Sequence, residues 1–231
     1  MTIYTKNHAE LTRRVEQHIA ADAVVGGEYW VEADNDVGGE GCFIGCLVHG
    51  SDAKVLEHTY GLPLPLVRIA ENIFESLTHA DRVSFFRAVP DAIATDGKDL
   101  SRAHWAFLAC ELRALPLVEP EVQVAIGDVI EGMDLLAKGE EWPNAVAARD
   151  AASGAARAAA NVAASAAAYV AANVAASAAA NVAANVAASA AANAARAAAS
   201  AAARLRQRDT LLRLIEEAPV APHLAQVENI Q

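Results

Sequence analysis

The sequence predicts an all-α protein, in which a small N-terminal helical domain precedes a long alanine-rich helical region. Between residues 151 and 203 only nineteen positions are not alanine, and alanine is the strongest helix former because it loses no side-chain entropy on ordering. Before this run, apolar residues recur at helical spacing in several segments. The sequence shows neither a strand-helix-strand alternation nor a glycine-rich nucleotide-binding motif.

The first 50 residues predict two helices separated by a loop. Thr5 is the predicted cap of the first helix, which runs to about Val25 and ends at Gly26-Gly27. The acidic stretch that follows is predicted to be a solvated turn with a short extended piece at 29–31, because it lacks the ligand spacing of a calcium loop. A short apolar helix is predicted over 42–49.

Three further helices are predicted before residue 91. Ser51 is the expected cap of the first, which ends at Gly61. Pro65 lies in the first turn of the second, where its missing N–H costs nothing. Thr78 opens the third helix, which Pro90 is expected to stop.

Two longer helices complete the predicted globular part, one over 100–115 and one that Pro120 opens. We therefore place an acidic helical globular domain at 1–143. The alanine-rich helical region, with its twelve-residue repeats and amphipathic end, covers 144–217. A loose tail is predicted at 218–231, since prolines recur at its start.

The alanine run repeats a twelve-residue unit of the type NVAASAAANVAA, in which a polar residue recurs every four positions. Each step of four advances about 40° around a helix, so the polar row spirals instead of holding one face. One straight helix over 144–217 would reach roughly 110 Å. We therefore expect the region to be kinked or folded back, or to pack on a second copy. The candidate interaction surface comprises Asn161, Tyr169, Asn173, Asn181 and Asn185.

The formal net charge is −11 and is unevenly distributed. Residues 1–149 carry twelve Lys and Arg against twenty-four Asp and Glu, whereas 150–231 carry six against five. This acidic balance argues against nucleic acid as a partner, because nucleic-acid binding requires positive charge. An acidic mimic of DNA and a surface for a basic partner are the alternative interpretations.

Cysteine usage and hydropathy predict a cytoplasmic protein. The chain has three cysteines and no apolar leader core at its start, which indicates a reducing compartment. No membrane association is predicted, since Asn, Ser and Arg interrupt the alanine run throughout.

The densest set of chemistry-bearing side chains lies between residues 42 and 49. Cys42, Cys46 and His49 have the spacing i, i+4, i+7 and share one face of a helix, and thiolate and imidazole are zinc ligands. However, Cys42 and His49 would be about 10 Å apart along the axis, so one ion cannot easily join all three. The candidate ligands are therefore Cys42, Cys46, His49 and His58, with His104 or Cys110 as additional donors.

Cys42 is also a candidate nucleophile, because a thiol at a helix N-terminus has a lowered pKa. It would need a base such as His49, His58 or His104. In the third interpretation both cysteines are small buried apolar side chains, and the neighbouring glycines let helices pack closely. The sequence favours this structural interpretation and does not commit the chain to catalysis.

The segment from 38 to 77 contains the pattern G-x-G-C-x-x-G-C-x-x-H, followed by G-[IL]-P and then IFE. In this pattern, and in the style of its alanine-rich C-terminal run, the chain resembles a set of uncharacterised bacterial and phage or prophage proteins. Glu40 stands where the pattern has Lys or Gln. The resemblance implies an intracellular accessory protein of a bacterium or its phage, and it implies no particular activity. The matching residues are Gly39, Gly41, Cys42, Gly45, Cys46, His49, Gly61-Leu62-Pro63 and Ile73-Phe74-Glu75.

Together these features predict a non-catalytic intracellular interaction or scaffold protein, which acts through a protein partner or by self-association. A metal- or thiol-site protein built on Cys42, Cys46 and His49 is the second hypothesis. The third is an ice-binding helix, against which the spiralling polar row and the absence of threonine in the run both argue. No cofactor is predicted, apart from zinc under the second hypothesis.

Overall fold

The computed structural model describes residues 3–114, 120–143 and 201–221. Within these ranges the regular secondary structure is helical apart from one two-stranded hairpin, which confirms the predicted all-α class. The twelve-residue repeats lie outside the described residues, and so do the five candidate interaction residues between 161 and 185. The kinked or folded-back arrangement of this region therefore stays a prediction.

Eight helices and one hairpin are found along the described residues. The hairpin strands are antiparallel, with Val31 opposite Glu40 and Glu32 opposite Gly39. Residues 201–216 form α8, the last helix of the described part. The other elements are α1 (His8–Ala20), β1 (Val31–Glu32), β2 (Gly39–Glu40), α2 (Phe43–Val48), α3 (Lys54–Tyr60), α4 (Leu64–Ser76), α5 (His79–Ile93), α6 (Ala103–Arg113) and α7 (Pro120–Lys138).

The chain divides into two compact units whose limits differ from the predicted boundaries at 143 and 217. The first unit combines residues 1–107 with 204–231, and the second comprises 108–203. The difference arises because residues 204–221, which follow the alanine run, pack among the N-terminal helices. In sequence, the second unit is thus an insertion into the first.

The core of the first unit is built around four phenylalanine side chains, each at most 1% exposed. The ring of Phe43, from α2, lies 6.2 Å from that of Phe74, 6.2 Å from that of Phe85 and 5.8 Å from that of Phe86. Helix α2 contacts α1, α3 and α4, while α5 contacts α1 and α4. Truncating one buried phenylalanine to alanine typically costs about 3–5 kcal/mol, so this cluster is a main source of stability.

Helix α8 completes the same core from the far end of the chain. Its side chains Leu211 and Ile215 are buried at 0% and 2% exposure. After the helix, Val220 pairs with Lys98 and the N–H of Ala221 donates to the Gly97 carbonyl at 2.9 Å. The first residues of the predicted loose tail are therefore fixed in the fold, and residues 222–231 lie outside the described part.

Within the second unit, α7 carries two contacts that explain its sequence. Arg113 forms an ion pair with Asp134. Gly132 lies against the ring of Trp142, where an added Cβ would be only 1.9 Å from a ring carbon. A glycine, which is costly inside a helix, is required here by this close approach.

Several helix limits agree with the sequence prediction. Thr78 caps α5 by accepting the N–H of Asp81 at 3.3 Å. Pro65 lies in the first turn of α4, and Pro120 opens α7. Gly61 ends α3 in the left-handed conformation, with φ of 68°, which costs glycine little.

The predicted limits of the first helix are wrong. Its cap is Asn7, because Thr5 Oγ1 donates to the Thr95 carbonyl at 3.0 Å and accepts from the Lys98 N–H at 2.8 Å. The helix ends at Ala20 and not at Val25, since Asp22 turns the chain with a φ of 51°. Long-range contacts decide both ends.

The predicted cap at Ser51 and the predicted stop at Pro90 are also wrong. Helix α3 begins at Lys54, whose N–H donates to Asp52 Oδ1 at 3.0 Å. Pro90 lies inside α5, which continues to Ile93. Proline removes one N–H from the last turn, while its own carbonyl accepts from the N–H of Ala94 at 2.9 Å.

Candidate binding site beside Cys42

The start of α2 lies directly on the backbone of residues 28–30. A Cβ on Gly41 would be 2.1 Å from the Tyr29 carbonyl oxygen, and one on Gly45 would be 1.1 Å from the same atom. The N–H of Cys42 donates to the Glu28 carbonyl at 2.8 Å. The two glycines, which are four residues apart, are therefore required, because any side chain there would displace residues 28–30. This close approach sets the position of Cys42.

Cys42 begins a chain of polar contacts that reaches the surface. Its thiol donates to Glu71 Oε1 at 3.5 Å, and Glu71 Oε2 accepts from Arg68 Nη1 at 2.9 Å. Arg68 also lies 3.4 Å from the hydroxyl of Tyr29. Glu71 is only 9% exposed, so its carboxylate depends on Arg68 for compensation of its charge.

An open pocket of about 380 Å³ lies beside this chain of contacts. Its shape is fixed in part by the N–H of Gly27, which donates to Glu75 Oε2 at 2.8 Å. Three carboxylates and one guanidinium line the pocket, so its charged groups are acidic in balance. The lining residues are Gly27, Glu28, Tyr29, Cys42, Arg68, Glu71, Asn72 and Glu75.

The environment of Cys42 opposes the chemistry of a nucleophile. Burial, with a smaller contribution from the neighbouring Glu71 carboxylate, raises the pKa of its thiol to about 11. The thiol is therefore protonated at neutral pH, whereas a nucleophilic cysteine needs a thiolate. Helix α2 has only six residues, too short for a strong dipole to reverse this effect.

Cys46 is completely buried and also protonated. Its thiol lies 3.1 Å from the carbonyl of Gly41 and 3.4 Å from that of Ala23. Burial raises its pKa to about 12. Cys46 thus behaves as a small core side chain that donates weakly to backbone carbonyls.

His49 lies apart from the hydrogen bonds of both cysteines. It ends α2 with a left-handed φ of 52°, stacks on Trp30 at 4.1 Å and approaches His18, with 3.1 Å between the two Nε2 atoms. His58 is exposed on α3. In the described part of the chain no group of three or more His, Cys, Asp or Glu could hold a metal ion. The predicted set of Cys42, Cys46, His49 and His58 is therefore not brought together.

The additional donors considered from the sequence also have other surroundings. His104 is 8% exposed, and its ring packs at 4.4 Å from that of Trp105. Burial lowers the pKa of His104, which keeps the ring neutral. Cys110 is a half-buried free thiol in the second unit.

Sequence reasoning missed Arg68 and His18. The i, i+3 spacing of Arg68 and Glu71 was an available signal for an ion pair on α4. His18 stands three residues after Val15 on the apolar face of α1, which was a signal of burial. Nothing in the local sequence indicated that these groups meet residues of α2 and its preceding loop.

Among the described residues, no helix combines the length and apolar character needed to cross a membrane. Comparison with family models, with curated proteins and with solved structures gave no match for this chain.

Proposed function

We propose that this chain is a non-catalytic intracellular interaction protein, and that the pocket beside Cys42 receives a basic side chain of a protein partner. The observation that carries the proposal is the charge of the pocket lining. Of the four charged groups there, Glu71 and Arg68 compensate each other at 2.9 Å. Glu28 and Glu75 remain to attract a cation.

The pocket suits a lysine or arginine side chain in size and in chemistry. Its volume of about 380 Å³ lies near the lower end of ligand pockets, which span roughly 300–1,000 Å³. Tyr29, which is 42% exposed, borders it. A tyrosine ring attracts a cation placed over its face, by about 0.5–1 kcal/mol at an exposed site.

The surrounding sequence extends the acidic character beyond the pocket. Between residues 15 and 53 there are eight Asp and Glu and no Lys or Arg. The hairpin loop within this stretch is ordered by Asn35, whose Oδ1 accepts the N–H groups of Val37 and Gly39. It holds the exposed Asp34 and Asp36 at the surface. Such a surface steers a basic partner toward the pocket and repels nucleic acid.

The protonation state of the thiols supports a binding role over a catalytic one. Cys42 and Cys46 have raised pKa values, and the hydrogen-bond partner of the Cys42 thiol is a carboxylate instead of an imidazole. Three free cysteines accord with an intracellular protein. The resemblance of residues 38–77 to bacterial and phage proteins is the reason for proposing a role in such a cell.

This proposal is tested by measuring, with fluorescence anisotropy, the binding of short labelled peptides to the full chain. An arginine-containing peptide is compared with the same peptide carrying neutral citrulline. We expect the double variant Glu28→Gln/Glu75→Gln to weaken binding of the arginine peptide by about fivefold or more, which corresponds to about 1 kcal/mol. Glutamine at 75 keeps an oxygen that can accept the Gly27 N–H.

The matched control is Asp91→Asn/Glu216→Gln, which removes the same charge from exposed positions outside the pocket lining. It is expected to weaken binding much less than the pocket variant. Equal affinity for the arginine and citrulline peptides would contradict the proposal. Equal weakening by the two double variants would also contradict it, because the binding would then depend on net charge and not on the pocket.

A further inference from the structure

We infer that His18 and His49 form a binding site for a late first-row divalent metal ion of the zinc, copper or nickel class. The site is distinct from the pocket beside Cys42 and uses neither cysteine. It is formed where the last turn of α1 meets the end of α2. The Nε2 atoms of the two rings face each other at 3.1 Å.

The distance between the nitrogens matches two adjacent positions around one ion. Zinc–nitrogen bonds are about 2.0–2.1 Å long, so two imidazole nitrogens at angles between 90° and 110° lie about 2.9–3.4 Å apart. The observed 3.1 Å falls inside this range. To bind one ion, the two rings must turn so that both lone pairs converge at a point beside the line that joins the Nε2 atoms, while the nitrogens keep their separation.

The orientation of His18 is the one that metal-binding histidines need. Its Nδ1 donates to the Arg14 carbonyl at 2.8 Å, because a carbonyl can only accept. In the neutral ring the proton therefore resides on Nδ1, and the lone pair of Nε2 points at His49. A backbone carbonyl on the second ring nitrogen is a usual partner of metal-ligating histidines, and it fixes both tautomer and ring direction.

His49 is also held in place, while its proton can move. Its ring stacks on Trp30 at 4.1 Å with an angle of 11° between the planes. Without a metal ion, Nε2 of His49 carries the proton that bonds Nε2 of His18. On metal binding this proton leaves Nε2, and the neutral tautomer with a proton on Nδ1 becomes the ligand. Burial lowers the pKa of both rings, which favours the neutral forms that bind metal.

The site is open on one side. His18 is 2% exposed, whereas His49 is an exposed residue. The remaining coordination positions therefore face solvent and take water or a donor from a partner. Besides burial, the Arg14 guanidinium acts on both rings and lowers their pKa values, and its Nη1 donates to the Leu47 carbonyl at 2.6 Å. Its positive charge weakens binding of a divalent ion. Binding is also weak because the described residues supply two protein ligands and no third.

Titration of the chelator-free full chain with Co²⁺, a spectroscopic substitute for zinc, tests the site. We expect one equivalent to bind without the intense thiolate-to-metal absorption that cysteine ligands produce. His49→Phe keeps a ring against Trp30 but removes the nitrogen, and it is expected to weaken binding by about tenfold or more, because the second ligand acts at high effective concentration. His49→Asn serves as a second variant, since asparagine tolerates the left-handed φ of 52°.

The matched control is His58→Gln, which removes an exposed histidine of α3 and is expected to leave the affinity unchanged. Circular dichroism establishes that each variant retains its helices. Undiminished binding by both His49 variants, loss of binding in His58→Gln, or thiolate absorption in the cobalt complex would each overturn the inference. Because the His49 variants leave the pocket lining intact, their affinity for the arginine peptide is expected to be unchanged.

Discussion

Lys98 Nζ lies 2.9 Å from the carbonyl oxygen of Ile215, a residue 117 positions further along the chain. The same ammonium group donates to the carbonyls of Glu216 at 2.6 Å and Ala92 at 2.9 Å. These carbonyls belong to the last turns of α8 and α5, where a cation is favoured by the helix dipole. One buried lysine thus joins the C-terminal ends of two helices.

Replacing Lys98 with methionine is expected to destabilise the first unit by about 3 kcal/mol, because three carbonyls lose a charged donor while the aliphatic stem is kept. Urea unfolding followed by circular dichroism measures the change. Lys54→Met is the matched control, since Lys54 is exposed at the start of α3. If both variants unfold at the same urea concentration, the buried contacts of Lys98 contribute nothing.

Ending the chain after Pro143 is expected to expose the core of the first unit. The truncation removes Leu211 and Ile215, and fully burying such a side chain contributes about 1.5–3 kcal/mol. We expect amide hydrogens of α5 to exchange faster in the truncated chain than in the full chain. A separate chain of residues 204–221, added back at high concentration, is the control. Unchanged exchange in α5 would show that α8 is dispensable for this core.

Gly45→Ala is expected to destabilise the protein by about 3 kcal/mol or more, since the new Cβ would lie 1.1 Å from a backbone oxygen. Gly50→Ala is the control, because a Cβ there meets no atom within 4 Å. Thermal unfolding of the two variants compares the sites. A similar melting temperature for both would mean that the segment at Tyr29 shifts freely, and that the glycine spacing is not a packing requirement.

Thiol labelling with an excess of Ellman's reagent at pH 8 is expected to modify Cys110 first. Cys42 and Cys46 are buried and their pKa values are raised to about 11 and 12, so both should react only as fast as the protein opens. Labelling in denaturant gives the reference rate for three accessible thiols. Rapid reaction of Cys42 in the folded protein would restore the nucleophile hypothesis.

Stability is expected to fall between pH 7 and pH 5. Burial lowers the pKa of His104 in the folded protein, whereas the unfolded chain binds this proton near pH 6.5. The contribution of the neutral ring is therefore complete above about pH 6.5 and is lost as the pH decreases toward the folded pKa. Urea unfolding at three pH values should show that the free energy of unfolding decreases less in His104→Phe than in the unsubstituted protein. In the exposed control His58→Gln it should decrease as much as in the unsubstituted protein. Identical slopes in all three proteins would contradict this assignment.

Local sequence was sufficient to predict the helix limits that are set by a capping residue, a proline or a glycine at the limit itself. Thr78, Pro65, Pro120 and Gly61 act through their nearest neighbours, so the limits they set were read correctly. The all-α class followed likewise from composition and periodicity. Thr5 and Pro90 were misassigned because partners from other elements determine their roles, as the contacts of Thr5 with Thr95 and Lys98 show.

The sequence by itself determined which residue types carry chemistry, since Cys42, Cys46 and His49 were identifiable from spacing alone. Only the tertiary structure decided which groups they meet: a carboxylate of α4 for Cys42, backbone carbonyls for Cys46, and His18 of α1 for His49. The same holds for α8. The sequence places this helix at the end of the alanine-rich region, whereas in the fold its Ile215 carbonyl accepts a hydrogen bond from Lys98. The physical reason is that hydrogen bonds and burial depend on distances between segments remote in sequence, on which local periodicity carries no information.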